Sequence, residues 1–376
     1  MFEWTLVVKN LGERFASRSI EHDENDRFVG ANYEELKKEK FFSAMVPAEL
    51  GGAGLSHADM CRLIREMARY CPSTALAFSM HQHLVAAAVW NYRQGNPGER
   101  LLRKVADDET VLVSTGAKDW LSSSGRLESC EGGFRFSATK AFASGSSAGD
   151  LLLTSGRYND PKDGWQVLHF PLSLRAEGVR VLENWRAMGM RGSGSNTVAI
   201  ENAFVPADSI GLRRPMGKYH RVWDIVLTVG LPLICAAYLG VAESSARIAC
   251  ESAMGRRDDS LFSELLGELE NEVTIARLAF DSMVSIANNF EFQPSPQKSS
   301  QILIRKTIVT EAVIRSASKA LEITGGRGYL RCHGVERLLR DAYAGQFHPL
   351  APKKQQRFTG RLLMGLEVDQ ESETGT

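Results

Sequence analysis

The chain has 376 residues, enough for two or three domains or for one enzyme of several layers. Its 45 basic and 45 acidic side chains cancel, which argues against nucleic acid as the main partner, because phosphate binding needs a basic excess on some face. The six cysteines (Cys61, Cys71, Cys130, Cys235, Cys250 and Cys332) form no C-x-x-C pair, so no metal site is expected and a reducing, cytoplasmic setting fits them.

The first third reads as helical. Its opening residues, MFEWTLVVKN, lack the basic stretch, apolar core and small-residue cleavage site of a signal peptide, and none is expected. Ser56 with Asp59 three residues on predicts a capped helix start, and Leu63, Ile64, Met67, Ala68 and Cys71 then recur at helical spacing. Pro72-Ser73 ends that stripe, and a second helix is predicted through Ala75–Trp90, before the turn signal Asn96-Pro97-Gly98.

The middle changes character. Thr110–Ser114, Phe134–Ser137, Leu151–Ser155, Trp165–Phe170 and Thr197–Ile200 are short β-rich runs between Gly, Ser, Asn and Asp clusters, the pattern of a compact antiparallel β-domain. From about Ile225 the periodicity returns to helix over Leu233–Met254, Leu261–Asn288 and Gln301–Ile323, with Phe292–Pro296 as a break. The most apolar run, Ile225–Val241, is interrupted by Gly230 and Pro232 and falls short of a membrane span, so no membrane partner is expected. The last residues, ESETGT, read as a frayed end.

Five motifs in chain order carry a resemblance: VPAELGGAG (Val46–Gly54), VLVSTGAKDW (Val111–Trp120), KAFASGS (Lys140–Ser146), MGMRGSGSNTVAIENAFVP (Met188–Pro206) and ITGGRGYLRCHGVERLLRDA (Ile323–Ala342). Together they resemble the acyl-CoA dehydrogenase superfamily. The resemblance implies an α+β acyl-CoA dehydrogenase fold with an N-terminal helical domain (1–109), a middle antiparallel β-barrel-like domain (110–215) and a C-terminal four-helix bundle (216–376). It further implies a flavin, FAD or FMN, contacted by Ser114, Thr115 and Gly116 on one loop and by Phe142, Ala143 and Ser144 on the next, with Gly325 and Gly326 at the cofactor's far end. Small side chains and open backbone N–H groups suit the flavin's polar edge, and Phe142, where the family places a Trp, suits its face.

One departure carries the functional reading. The family's catalytic Glu, the base that takes the α-proton of an acyl thioester, aligns with Pro349, which has no ionisable group. Some members place that Glu near the start of the C-terminal bundle. The aligned residue here is Trp223, beside Asp224, which by itself reads as an exposed charge near a helix start. The segment that binds the FAD pyrophosphate is degraded to MGRRDDSLFSELLGE, with Arg256 and Arg257 as its remaining cations, and Glu322 stands where the family has Gln. Arg191 and Arg340 read as structural ion-pair partners.

The chain resembles instead the flavin monooxygenase branch of the superfamily, whose sites use a Ser and two His. Ser144, His348, and one of His81 and His83 match them, because residues two apart on a helix face different sides. The resemblance implies a monooxygenase that protects a flavin hydroperoxide, acts on a small organic substrate and is fed by a flavin reductase. It also implies a homo-oligomer, tetramer or dimer. Two alternatives stand beside it: an acyl-thioester dehydrogenase with its base relocated to Asp224 or His348, and a non-catalytic binding or scaffold protein.

Overall fold

The computed structural model describes residues 2–116 and 121–368; residues 117–120 of the VLVSTGAKDW motif and the expected frayed end lie outside the described residues. Five helices open the chain: α1 (Phe2–Glu24), α2 (Gly30–Lys38), α3 (His57–Ala68), α4 (Pro72–Arg93) and α5 (Glu99–Asp108). The Asp59 amide donates to the Ser56 hydroxyl at 3.1 Å, so the predicted cap forms. Pro72 starts α4 at the position where its missing N–H costs nothing. The helix α4 is buried on nearly every side and packs against both the sheet and the C-terminal bundle.

Eight strands follow among the described residues: β1 (Leu112–Ser114), β2 (Arg126–Cys130), β3 (Gly133–Ala143), β4 (Leu151–Asp160), β5 (Gly164–Ser173), β6 (Val179–Val181), β7 (Asn196–Pro206) and β8 (Leu212–Pro215). Their order is β6-β7-β3-β2-β4-β5-β8, with β1 also beside β4. This corrects the expected antiparallel, barrel-like domain. The sheet is mixed, because β4 pairs in parallel with β1 from Leu112↔Leu151 and with β2 at Arg126↔Arg157. It is also open, because β6 and β8 end the order without pairing each other. The physical reason lies in the connection: β1 reaches β4 through a long crossover that holds the β2–β3 hairpin, and such crossovers give parallel pairs. Register shifts in β3 between Phe136 and Ala138 and between Lys140 and Ala143 bend its end. Bulges of this kind re-aim side chains, and Phe142 sits in the last one with a φ of 59°.

The C-terminal part holds α6 (Val222–Ala253), α7 (Ser260–Ala287), α8 (Pro296–Thr324), α9 (Val335–Tyr343) and α10 (Pro352–Leu363). The helices α6 to α9 form the four-helix bundle, with α10 packed on α8. The side chains of Asp259 and Ser295 cap α7 and α8. The central helix α6 is apolar and long enough to cross a membrane, yet 94% of its most apolar window is buried inside the fold. Gly240 lets it approach α3 closely, since a Cβ there would meet the Arg65 carbonyl oxygen at 2.6 Å.

The sheet and the bundle are latched together. Asp341 on α9 accepts the Met190 amide at 2.5 Å, and a Cβ on Gly189 would meet the Arg340 carbonyl oxygen at 2.2 Å. Arg340 pairs with Asp23 on α1 at 2.5 Å and with Glu336 at 2.7 Å, the structural ion-pair role its sequence context suggests. Arg191 likewise lies 3.7 Å from Asp26.

Candidate active site

The two histidines of α4 face different sides, and their surroundings separate them. His81 is buried, accepts the Leu112 amide at Nδ1 (2.9 Å) and meets the Phe42 carbonyl with Nε2 (2.9 Å). Both ring nitrogens are thus occupied by backbone, and His81 ties α4 to β1 rather than serving a ligand. Burial, opposed by the Phe42 carbonyl, lowers its pKa to about 3. His83 points toward α6, where its Cβ lies 3.2 Å from where a Cβ on Gly230 would stand. Its Nδ1 is buried without a well-formed hydrogen bond among the described residues, and burial, opposed by the nearby Met80 and Ser79 carbonyls, lowers its pKa to about 4.

The sheet supplies the second part. Ser114 ends β1 and Thr115 and Gly116 follow it, while Phe142 and Ala143 lie in the bent end of β3 and Ser144 just past it. The two loops touch: the Gly116 amide donates to the Ala141 carbonyl at 3.1 Å. That amide was expected to be open to a cofactor and is instead spent on the neighbouring loop. Ser144 is buried, with its Oγ 2.7 Å from Ser195 Oγ, which is 2.8 Å from Ser193 Oγ. This three-hydroxyl chain was not read from the sequence, although all three serines stand in quoted motifs. Phe142 is 56% exposed and rests edge-on against Trp185 at 6.0 Å. Ala143 is buried beneath it.

The third part is the segment after α9. His348 is partly buried, and its Nε2 lies 2.6 Å from the Tyr238 hydroxyl of α6. Burial, with the positive charge of Lys306 and the nearby His83, lowers the His348 pKa to about 3. Lys306 on α8 is itself buried and donates to the Leu350 carbonyl at 3.1 Å, holding the chain just past His348. Burial lowers the Lys306 pKa to about 8. Sequence reading missed both Tyr238 and Lys306; Tyr238 was signalled by a lone polar head inside an apolar helical run, whereas Lys306, beside Arg305 in a helix with several charges, carried no such signal.

Other expected residues lie elsewhere. Asp224 is buried, not exposed, and accepts from Tyr219 and Ser299, each at 2.5 Å. It stands fourteen residues before Tyr238 on α6, about 21 Å along the helix axis. The carboxylate therefore sits in its own hydrogen-bond network far from His348, and neither it nor Trp223 replaces the missing base. Gly325 and Gly326 are exposed at the C-terminal end of α8, with open space where side chains would be. They lie about 28 Å along the helix axis from Lys306. Glu322 pairs with Lys319 at 2.7 Å, and Arg256 and Arg257 are exposed.

A flavin needs apolar cover for its ring and hydrogen-bond partners along its polar edges. The exposed Phe142 ring could provide the first, and the Ser114, Thr115 and Ser144 hydroxyls could provide the second, since a hydroxyl already bonded once still has spare capacity. Helices, open sheet and bundle arranged around such loops define a flavin-dependent oxidoreductase. The chain belongs to the acyl-CoA dehydrogenase superfamily: residues 6–109 match the acyl-CoA dehydrogenase N-terminal domain and residues 224–348 the C-terminal domain.

It is 27% identical over 358 residues to the L-evernosamine nitrososynthase of a Micromonospora species, covering 89% of this chain and 83% of that protein. It is 24% identical over 381 residues to the dibenzothiophene monooxygenase of Mycolicibacterium goodii, covering 91% and 89%. Among solved structures, KijD3 in complex with FMN and dTDP-3-amino-2,3,6-trideoxy-4-keto-3-methyl-D-glucose superposes with a TM-score of 0.88 at 24% identity, covering 98% of this chain and 95% of that one.

Proposed function

We propose that the chain is an oxygen-activating monooxygenase that uses reduced FMN, delivered by a separate reductase, to oxidise a small organic substrate. The observation that carries this reading is the pair His348-Pro349. Where the family's dehydrogenases have a carboxylate base, the chain has proline, and the neighbouring imidazole is held by Tyr238 and kept neutral by its surroundings. A bound reduced flavin supplies the electrons that activate O2. The protein's own part is to position and to shield. Ser114, Thr115 and Ser144 hold the flavin's polar edge, and Phe142 covers its face. His348 and the Nδ1 of His83, which lacks a well-formed hydrogen bond, hold and move protons at the reacting centre.

Three further observations support the details. Glu322, paired with Lys319, puts a carboxylate where the superfamily's pyrophosphate-binding segment has Gln, and this favours FMN over FAD. Ile275 and Leu278 on α7 and Ile308 on α8 are exposed apolar side chains on two packed helices, which suits a homo-oligomer, a tetramer or dimer. The isolated, unpaired cysteines suit a cytoplasmic protein.

The test has two arms. Protein loaded with reduced FMN is mixed with O2, and the reappearance of oxidised-flavin absorbance is followed. A delay before that signal is expected, with less H2O2 released than from free flavin. In the second arm, FAD-loaded protein is titrated anaerobically with acyl-CoAs of graded chain length. Bleaching of the flavin by any of them would overturn the proposal in favour of the dehydrogenase.

A further inference from the structure

Tyr238 has no place in the reading of the sequence, and the structure gives it a specific one. It sits in the middle of α6, with its ring fully buried. The one hydrogen bond described for its hydroxyl is to His348 Nε2, at 2.6 Å. The segment that carries His348 is pinned on both sides of that bond. Lys306 donates to the Leu350 carbonyl, and Gly345 lies so close to α6 and α8 that a Cβ there would meet Thr310 at 2.8 Å and the Tyr238 ring at 3.5 Å.

We infer that Tyr238 is a positioning residue for His348: its hydroxyl donates to Nε2 and so fixes the neutral ring with its hydrogen on Nδ1, the nitrogen left for the site. This inference rests on the functional reading above only for what Nδ1–H meets. The assignment of the hydrogen follows from accounting for buried donors. Were the ring to donate from Nε2 to the phenol oxygen, the Tyr238 hydrogen would be a buried donor with no acceptor among the described residues. An unmade buried donor costs more than a spare lone pair. With Tyr238 donating, every donor of the pair is used except Nδ1–H, and Nδ1 has no partner among the described residues. Burial raises the Tyr238 phenol well above its ordinary range, so it stays a donor at working pH. Burial and the Lys306 charge keep the ring neutral, so the choice of tautomer matters. A neutral ring with a fixed Nδ1–H can donate a hydrogen bond to bound oxygen or to substrate, whereas a ring flipped to Nε2–H presents only a lone pair.

The test is solid-state NMR of the flavin-free protein labelled with 15N-histidine, with the His348 signals assigned by their loss in His348→Gln. A protonated Nδ1 and a bare Nε2 are expected. In Tyr238→Phe, which keeps the ring and its packing, the signals are expected to move toward the Nε2–H form. An Nε2–H ring in the wild type, or an unchanged tautomer in Tyr238→Phe, would overturn the inference. Should Tyr238→Phe not fold, the wild-type spectrum decides alone. Because the spectra are taken without flavin or turnover, they stand or fall separately from the oxygenase reading. If both hold, Tyr238→Phe releases severalfold more H2O2 per flavin oxidised, while His348→Gln with and without Tyr238→Phe release the same amount.

Discussion

The backbone amide of Leu112 donates to Nδ1 of His81 at 2.9 Å, which ties the first strand of the sheet to the helix that carries the other candidate histidine. Two residues along α4, His83 has a buried Nδ1 with no well-formed hydrogen bond among the described residues. The two rings therefore respond differently to removal. His81→Ala orphans the Leu112 amide, leaves the Phe42 carbonyl only the 3.4 Å hydrogen bond from Gln82, and is expected to cost about 2 kcal/mol of stability. His83→Ala removes a poorly satisfied group and is expected to cost about 1 kcal/mol while impairing the reaction. Urea unfolding of both variants checks this; equal losses would make His83 a core residue.

The buried imidazoles also set the acid limit of the fold. His57 and His83 are lowered to about 4 and His81 to about 3, mainly by burial. The unfolded chain binds protons below about pH 6.5 that the folded chain refuses. Their contribution is complete above the unfolded value and is lost as pH falls through the window from about 6.5 toward 3 to 4. Each is worth about 1.4 kcal/mol per pH unit within it. Unfolding midpoints in urea are expected to fall steeply between pH 6.5 and 5, and to fall less steeply in His83→Ala.

Asp341 works in the opposite sense. Burial raises its carboxyl to about 6, against the hydrogen bond from Met190 and the charge of Arg337. A raised carboxyl contributes stability at low pH that is lost as pH rises through about 6. Asp341→Asn keeps an acceptor for the Met190 amide without the charge. Relative to wild type, the variant is expected to gain up to about 3 kcal/mol on going from pH 4 to pH 7. Parallel pH curves for the two proteins would show that the carboxyl is not strained at all.

Much of the architecture is legible in the sequence because long helices repeat their apolar residues at 3.6-residue spacing, and the three helices expected after Ile225 all form. The strands are less so. Arg126–Cys130 alternates too weakly to announce β2, and the parallel pairing of β1 with β4 is a tertiary outcome that no local pattern encodes. In the site, the choice between His81 and His83 was illegible because α4 is buried almost all round, leaving no polar face to orient it. Asp224 misled for a related reason. A charge near a helix start reads as exposed, but Tyr219 and Ser299 arrive from outside its own helix to bury it.

Two glycines give a paired test of the packing. Gly240→Ala improves helix propensity by about 1 kcal/mol, but its Cβ would lie 2.6 Å from the Arg65 carbonyl oxygen and 2.5 Å from the Ala68 side chain. The backbone of α3 cannot yield as a flexible side chain does, so a net loss of about 2 to 3 kcal/mol is expected. Gly267→Ala on α7 meets nothing within 4 Å and is expected to gain about 0.5 to 1 kcal/mol. Thermal unfolding of both reads the contrast; a stabilised Gly240→Ala would mean that α3 and α6 are not in close contact.

The burial of α6 has a consequence for the chain while it is being made. Its cover comes from both directions in sequence, α3 and α4 before it and α7, α8 and α9 after it. When α6 leaves the ribosome, only half of its sheath exists. Until α8 follows, for several seconds at ordinary elongation rates, the nascent protein displays a segment apolar enough to be taken for a membrane anchor. Slowed translation through residues 254–324 is therefore expected to raise the share of insoluble product, and a yield of soluble protein that does not change on slowing would count against it.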